Sequence, residues 1–469
     1  MNDKPVTLIV SDLHVGGGPQ DPGDDHVYQG EQFRRFIEEA AGSDDGRAGR
    51  IELFINGDFL EFAQVRPDVY TLGSAKYWCT EAESVAKLEY ILAGHADIFA
   101  ALKKFGERGN RVTIAAGNHD VDLYWTDVQK KLSAASGDVN FETGRDVCER
   151  YGSRLQIGHG HMLDPANSFK NWADPFLLRT QWGGPDELRL EMCPGTLFMV
   201  KFVNDLEKKY SFSDNLKPIT SLARLLLKEQ KWGFVVAAWS FFSFVDEHPV
   251  KTMSIEDQNL MRMEPVSKLV LTELANDDGV FLSRVVEVYR RCIDAAATPV
   301  DVVRSLTTEE AVTDFIKQLM IQGVNEEEWM KVFDLPETAT LSASGSSSGN
   351  TLAIIRAGMA KDKEDLRQEG ELRLAEPGVE VVVFGHTHQP DEWRGVNGTS
   401  DGGYFNPGSW TRYVDVTDMP KLTLADLQHE EDFPYQLNYI RVEQRPSGTL
   451  RADKVCFEEA RGERFSPSH

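Results

Sequence analysis

Short apolar runs recur along the chain, and each is followed by a polar segment that in most cases contains glycine. The runs are Val6–Val10, Ile51–Ile55, Val112–Ala115, Leu155–Ile157 and Val379–Phe384. A short apolar run bounded by turn residues is typical of a buried β-strand. Helical spacing of apolar residues is found between some of these runs, at Glu31–Ala41 and Ala82–Phe105. Strands that alternate with helices predict a fold of the α/β class.

The middle of the chain has a different pattern. Between Asp164 and Arg373 strand-like runs largely vanish and helical spacing predominates. The candidate helices are Leu197–Tyr210, Ile219–Trp232, Phe281–Ala297 and Thr308–Gln322. A stretch rich in serine and glycine, at residues 342–350, is typical of a flexible surface loop. We therefore predict a helical insertion at residues 166–373, which interrupts a split domain made of residues 1–165 and 374–460.

Strand patterns return after the predicted insertion. The segment Gly402–Trp410 (GGYFNPGSW) predicts a strand and a turn. Two further segments, Leu437–Glu443 and Ala452–Glu458, predict strands that close the fold. Together with the run Val379–Phe384 they make up the second part of the split domain.

Composition and charge narrow the class of protein. A hydrophobic content of 41% in 469 residues is enough for a large core. The formal net charge of −25 argues against non-specific binding of nucleic acid, which depends on Lys and Arg that neutralise phosphates. An acidic surface is still compatible with a local site whose metal ions supply positive charge.

The sequence also bears on where the protein works. The five cysteines are widely spaced without a CxxC pair, which disfavours a disulfide framework or a cysteine zinc site. The first residues do not have the layout of a signal peptide. The longest apolar run, Gly233–Val245, is too short for a helix that crosses a bilayer of about 30 Å. We expect a soluble, cytoplasmic protein.

Residues that can bind metals or activate water follow the predicted strands. They are Asp12, His14, Asp58, Asn118, His119, His159, His161, His386 and His388. Six of the 11 histidines lie in these short segments. Ligands of α/β proteins bind beyond the carboxyl ends of the strands, where loops from several strands meet. The sequence therefore predicts that these side chains converge on one site.

The residue types favour two divalent cations. Carboxylate, amide oxygen and imidazole together suit Mn, Fe or Zn better than calcium, which prefers oxygen ligands only. Two such ions about 3.5–4 Å apart can hold a phosphoryl group and generate a hydroxide nucleophile. One carboxylate must bridge them, and Asp58 is the natural candidate. In the fourth segment either His159 or His161 could be the ligand, and His159 is favoured because it is nearer to the strand end.

As a set, five segments resemble the ordered motifs of the calcineurin-like metallophosphoesterases. The segments are SDLH (Ser11–His14), GDFLE (Gly57–Glu61), GNHD (Gly117–Asp120), GHGH (Gly158–His161) and GHTH (Gly385–His388). The sequence YFNPGSW resembles the turn after the last motif of that family. GDFLE has Glu61 where many members have Asp. That pattern and GNHDVDLYW are similar to a bacterial branch near the UDP-diacylglucosamine pyrophosphatases.

The resemblance implies a four-layer αββα sandwich with two metal ions at the top of its sheets. Asp12, His14 and His388 would hold one ion, Asn118, His159 and His386 the other, and Asp58 would bridge them. His119 would face the phosphate, Asn118 would contact the substrate as well as a metal ion, and His161 would contact substrate or a ligand. A bridging hydroxide would attack phosphorus in line. The implied function is hydrolysis of a phosphoester or phosphoanhydride bond.

Two alternatives and one extension accompany this hypothesis. A nuclease or phosphodiesterase of the same fold would need a basic groove with aromatic platforms, which the net charge disfavours. A non-catalytic scaffold that binds a partner through the insertion predicts lost ligands, yet a residue able to bind a metal stands at every predicted ligand position.

The extension concerns the substrate. Basic residues between Lys201 and Lys231, followed by the apolar run Gly233–Val245, would suit a lipid-linked phosphate or a peripheral membrane contact. The plainer interpretation of the insertion is a helical cap.

Overall fold

The structure is a computed structural model of the 469-residue chain. It describes residues 5–21, 30–65, 79–164, 167–179, 187–193, 365–395, 401–415 and 422–460, together with scattered positions between 195 and 306. The chain divides into two compact units, Met1–Ile219 with Arg356–His469, and Thr220–Ile355. In the second unit, Val286, Val302 and Leu306 are buried side chains. All elements described below belong to the first unit.

The described elements alternate between strands and helices in the first part of the chain. The strands are β1 (Val6–Val10), β2 (Ile51–Asn56), β3 (Arg111–Ala115), β4 (Val139–Glu142), β5 (Val147–Arg150), β6 (Leu155–Gly158), β7 (Phe176–Arg179), β8 (Glu187–Leu190), β9 (Leu216–Lys217), β10 (Val381–Val383), β11 (Asp391–Trp393), β12 (Gly403–Asn406), β13 (Val414–Asp415), β14 (Tyr435–Gln444) and β15 (Leu450–Ala460). The helices are α1 (Gly30–Gly42), α2 (Asp44–Arg47), α3 (Glu81–Gly94), α4 (Ala96–Glu107) and α5 (Thr126–Ser136). Residues 365–374 are also helical.

Two mixed sheets contain 11 of these 15 strands, and the other four form two separate pairs. The first has the order β15-β14-β1-β2-β3-β4, and β1 to β4 are parallel to one another. The second has the order β11-β12-β10-β6-β5, with β6, β10 and β12 parallel. Strand β14, from the end of the chain, pairs antiparallel with β1. The two parts of the chain thus complete the first sheet together.

A single hydrophobic core joins the two sheets. Ile9 and Phe54 of the first sheet lie in one buried cluster with Ile157, Val383 and Phe405 of the second. Side chains alternate between the two faces of a strand, so the intervening residues must be covered from outside. The sheets therefore pack face to face, and their parallel strands bring two sets of strand ends to the same region.

Helices cover the outer faces of both sheets. On the first sheet, Phe36 of α1 contacts the rings of Tyr439 and Phe457 on β14 and β15. On the second sheet, Leu366 of the helical residues 365–374 packs in a buried cluster with Val382 and Tyr404. The predicted α/β class is confirmed.

Most predicted strands are confirmed within one or two residues, but the single long helix is wrong. The segment predicted as one helix, Ala82–Phe105, consists of α3 and α4 with a break at His95. At the break, a Cβ on Gly94 would lie 2.3 Å from the carbonyl oxygen of Gly17. Contact with the loop after β1 therefore requires a glycine there, and a distant contact of this kind has no local signal in the sequence.

Much of the predicted insertion lies outside the described residues. This holds for Ile219–Trp232, Gly233–Val245, Thr308–Gln322 and the loop 342–350, and for most of Leu197–Tyr210 and Phe281–Ala297. The described part contains the antiparallel pair β7 and β8, which the sequence pattern does not predict. Leu188 and Leu190 of β8 alternate, but this pattern is too short to be distinguished from one turn of an amphipathic helix.

We predict that the core between the sheets contributes strongly to stability. Leu155→Ala removes a fully buried side chain from the shared cluster, and it should lower the free energy of unfolding by about 2–5 kcal/mol. Urea denaturation followed by circular dichroism measures this loss. Leu372→Ala is the matched control, since Leu372 is 67% exposed, and its effect should stay within about 0.5 kcal/mol. Equal effects of the two changes would contradict a core shared by both sheets.

Candidate metal centre

The predicted ligand residues begin directly where the parallel strands end. Asp12 and His14 follow β1, Asp58 follows β2, and His386 and His388 follow β10. All five have a left-handed backbone, with φ between 49° and 69°. Only two other non-glycine residues among those described share this conformation. It costs an L-residue roughly 1–2 kcal/mol, and such strain is typically found at functional sites.

Glycines in the motifs allow these strand ends to approach one another. A Cβ on Gly117 would lie 2.2 Å from Oδ1 of Asp58, and one on Gly57 would lie 2.5 Å from the ring of His159. A Cβ on Gly385 would lie 2.8 Å from Oδ2 of Asp12. These three motif glycines thus leave room for ligand side chains of other motifs.

Three overlapping groups of side chains have the geometry of a metal site. They are Asp12, His14 and His388; His14, Asp58 and His119; and Asp58, His159 and His386. Within each group the potential ligand atoms all lie within 4.8 Å of one another. His14 belongs to two groups, and so does Asp58. The groups therefore form one continuous centre, and its members are buried or half-buried.

Individual distances in the centre fit ligands around a shared cation. Nε2 of His14 lies 3.1 Å from Nε2 of His388, which lies 3.6 Å from Oδ1 of Asp12. Oδ2 of Asp58 lies 3.0 Å from Nε2 of His159 and 3.9 Å from Nε2 of His14. Two ligands bound at about 2.1 Å to one ion lie roughly 3.0–3.4 Å apart, so the two shorter distances fit directly, and those of 3.6 and 3.9 Å are longer.

Asn118 is a candidate for an amide oxygen at the centre, since the backbone N–H of the next residue, His119, donates to Asp58. The residue is 1% exposed, and its Oδ1 has no hydrogen-bond partner among the described residues. Leaving a buried polar atom unpaired is costly, by about 1–3 kcal/mol. A cation would satisfy this oxygen. Since the residue types and the unpaired oxygen both suit a metal, the side chains present fit the predicted ions.

Glu61 sets the hydrogen positions of two histidines. The carboxylate lies 2.7 Å from Nδ1 of His14 and 2.8 Å from Nδ1 of His119. Burial would raise the pKa of Glu61, but His119 and His14 outweigh burial and lower it, so the group is ionised. An ionised carboxylate only accepts hydrogen bonds, so both Nδ1 atoms donate. His14 thereby keeps a lone pair on Nε2, the nitrogen nearest His388 and Asp58.

A hydrogen bond also determines which ring nitrogen of His159 faces the centre. Its Nδ1 donates to the carbonyl oxygen of Asn56 over 2.9 Å, so Nε2 faces Asp58. Burial opposes a charge on this ring, but the Asp58 carboxylate outweighs burial and raises the pKa of His159 to about 10. In the metal-free protein this pair therefore holds a proton, which a bound cation would displace.

His161 has a position unlike that of His159. It is 2% exposed, and its ring lies 4.3 Å from the ring of Trp172 and 5.3 Å from that of His159. Burial and the neighbouring His159 keep the pKa of His161 well below its usual value, so the ring is neutral. It belongs to none of the three groups, and a contact with substrate stays a prediction.

Two supporting residues were not assigned roles from the sequence. Besides Glu61, Asp120 connects the second and third motifs, because its carboxylate accepts hydrogen bonds from the backbone N–H groups of Phe59 and Gly117. Burial and the nearby Asp58 raise the pKa of Asp120 to about 7. The only signal in the sequence was the place of Asp120 and Glu61 at the ends of their motifs.

Comparisons with known proteins add no assignment. No family model matches the chain, and no curated protein matches it in sequence. Within the described residues, every helix is too short or too polar to cross a membrane.

We predict that Glu61 is needed for tight metal binding. Glu61→Gln keeps the size of the side chain but removes its charge. At the place of Oε1 its NH2 group would oppose the backbone N–H of Ala63 and the Nδ1–H of His119, donor against donor, so the orientation of the imidazoles is no longer fixed. The affinity for Mn²⁺ should fall about 10–100-fold, as is usual when the partner of a metal-binding histidine is removed. Calorimetric titration of metal-free protein measures it. Glu38→Gln, an exposed change in α1, should bind as the wild type does, and the same result for Glu61→Gln would refute the role.

Proposed function

We propose that this protein is a dinuclear metal-dependent phosphohydrolase of the calcineurin-like metallophosphoesterase type. The observation that carries the proposal is the position of Asp58, which belongs to two of the three ligand groups. A carboxylate between two sets of ligands is what a pair of neighbouring cations requires. The five motifs that resemble this family supply every member of the three groups.

The packing of the layers supports the same family. Two sheets share one core, and helices cover the outer face of each. We interpret this order as the four-layer αββα sandwich that the resemblance implies. The motifs follow β1, β2 and β3 of one sheet and β6 and β10 of the other.

The ligands are proposed to divide between two positions. Asp12, His14 and His388 would hold one ion, Asn118, His159 and His386 would hold the other, and Asp58 would bridge. Mn, Fe and Zn all suit these side chains. When bound, the two ions polarise the phosphoryl oxygens and make a water-derived nucleophile available at neutral pH.

His119 is the proposed catalytic residue beside the metal ligands. Its side chain is 15% exposed, whereas those of His14 and Asp58 are 4% and 2% exposed. Its backbone N–H donates to Oδ1 of Asp58, and Glu61 accepts from its Nδ1. These contacts fix the ring and leave Nε2 to face a bound phosphate, where it can stabilise charge or donate a proton to the leaving oxygen.

The proposed substrate is a phosphorylated small molecule or a lipid-linked phosphate. The net charge of −25 disfavours nucleic acid. The basic and apolar segments that favour a lipid lie mostly outside the described residues, so this part of the proposal rests on the sequence.

Hydrolysis assays test the proposal directly. Metal-free protein should not cleave bis(p-nitrophenyl) phosphate or p-nitrophenyl phosphate, and added Mn²⁺ should restore turnover of at least one of them. Removal of the metal by a chelator should abolish turnover again. Lack of metal-dependent cleavage across a broad panel of monoesters, diesters and pyrophosphates would reject the proposed function.

Two variants should separate metal binding from proton transfer. Asp58→Asn removes the bridging charge, so it should lose both metal and activity. His119→Ala should retain two equivalents of metal by ICP mass spectrometry and lose activity by about 10²–10⁴-fold, the usual contribution of a positioned acid or base. A His119→Ala protein that loses its metal would show that the role assigned to this residue is wrong.

A further inference from the structure

A hydrogen-bonded chain of four side chains links two ligands of one proposed metal position. The ligands are Asn118 and His386, and between them lie Asp164 and Asn167, which are outside all five motifs. Asn167 donates its backbone N–H to the carbonyl oxygen of Asp164 over 3.0 Å, which closes a turn. The side chain of Asp164 contacts His386, and that of Asn167 contacts Asn118.

The chain of hydrogen bonds has a fixed direction because it includes a carboxylate. Oδ2 of Asp164 lies 3.1 Å from Nε2 of His386. An ionised carboxylate only accepts, so Nε2 of His386 must carry a hydrogen. In a neutral imidazole the other nitrogen then keeps its lone pair. Nδ1 of His386 is therefore the nitrogen that can bind a metal.

The same carboxylate determines the orientation of two amides. Nδ2 of Asn167 donates to Oδ2 of Asp164 over 2.5 Å, so its Oδ1 faces the other way. Nδ2 of Asn118 donates to that oxygen over 3.3 Å. A flipped Asn118 would bring two oxygens together, so its Oδ1 is directed away from Asn167. This is the buried oxygen that has no hydrogen-bond partner among the described residues.

The backbone of Asn118 is held by a neighbouring part of the chain. Oγ1 of Thr196 donates to the carbonyl oxygen of Asn118 over 3.2 Å. Asn167 and Thr196 thus contact the side chain and the main chain of one proposed ligand.

We propose that Asp164 and Asn167 are positioning residues, which fix the tautomer of His386 and the amide orientation of Asn118 so that both ligand atoms point at one metal ion. This inference rests on the proposed function, since it takes the two residues as ligands of the same ion. Asp164 and Asn167 act through these ligands, without touching substrate.

The first test needs no metal. In metal-free protein labelled with ¹⁵N-histidine, long-range ¹H–¹⁵N spectra should give His386 as the Nε2–H tautomer. The signal is assigned by its loss in His386→Gln. Asp164→Ala should give a mixture of tautomers, which a purely structural role would not produce. An Nδ1–H tautomer in the wild type, or an unchanged spectrum in the variant, would overturn the proposal.

The second test measures metal affinity. Titration with Mn²⁺, followed by electron paramagnetic resonance, should show two equivalents bound to the wild type. In Asp164→Ala and Asn167→Ala one equivalent should bind about 10–100-fold more weakly, and the other should be retained. Asp174→Ala and Asn171→Ala are matched controls at exposed positions of the same segment, and should bind as the wild type does.

Folding and the proposed function are controlled separately. If an alanine variant melts at a lower temperature, Asp164→Asn keeps the volume but permits the opposite hydrogen-bond polarity, and should also weaken one equivalent. If the wild type hydrolyses phosphoesters and the variants bind both equivalents normally, the positioning role alone is overturned. A wild type that binds no metal overturns both proposals.

Discussion

The centre depends on a steric constraint: strand ends of two sheets must meet closely enough for their side chains to share one site. Gly117 allows this approach, because a Cβ there would lie 2.2 Å from Oδ1 of Asp58. Gly57 makes the same allowance for His159 across the interface between the sheets. The shared core sets the distance between the sheets, and the glycines leave space between the strand ends that the ligand side chains occupy. Backbone geometry therefore positions the ligands more than side-chain flexibility does.

This arrangement is costly without a bound cation. Five ligand residues have a left-handed backbone, and Asp12, Asp58 and Glu61 are carboxylates with almost no exposure. Buried charges require partners, and here the imidazoles provide them. The Asp58–His159 pair retains a proton that a metal ligand must give up. A centre of this kind is explained more readily by function than by stability, since apolar residues of similar size would stabilise a fold at least as well.

The sequence predicted the parts that have local signals. Short apolar runs followed by SDLH, GDFLE, GNHD, GHGH and GHTH identified five strands and the side chains at their ends. The break at His95 was not predicted, and it lies beside a close approach of Gly94 to Gly17, a distant contact that apolar periodicity does not indicate. The role of Asp164 was also not predicted, because its partner His386 is 222 residues away and no periodic pattern indicates such a contact. Strands and candidate ligands with a local motif could thus be predicted from the sequence, whereas contacts between distant segments could not.

The hydrogen-bond partners of the histidines determine which ring nitrogen of each can face a metal. His159 donates through Nδ1 to Asn56, so it can bind a metal through the distal Nε2. His386 donates through Nε2 to Asp164, so a metal would have to bind at Nδ1, next to the carbon that joins the ring to the chain. A bond through Nδ1 has a shorter reach, so the backbone of His386 would have to lie close to the metal. The His386 N–H also donates to the Asp12 carboxylate, at 3.0 and 3.1 Å from its two oxygens, which connects the two proposed sets of ligands.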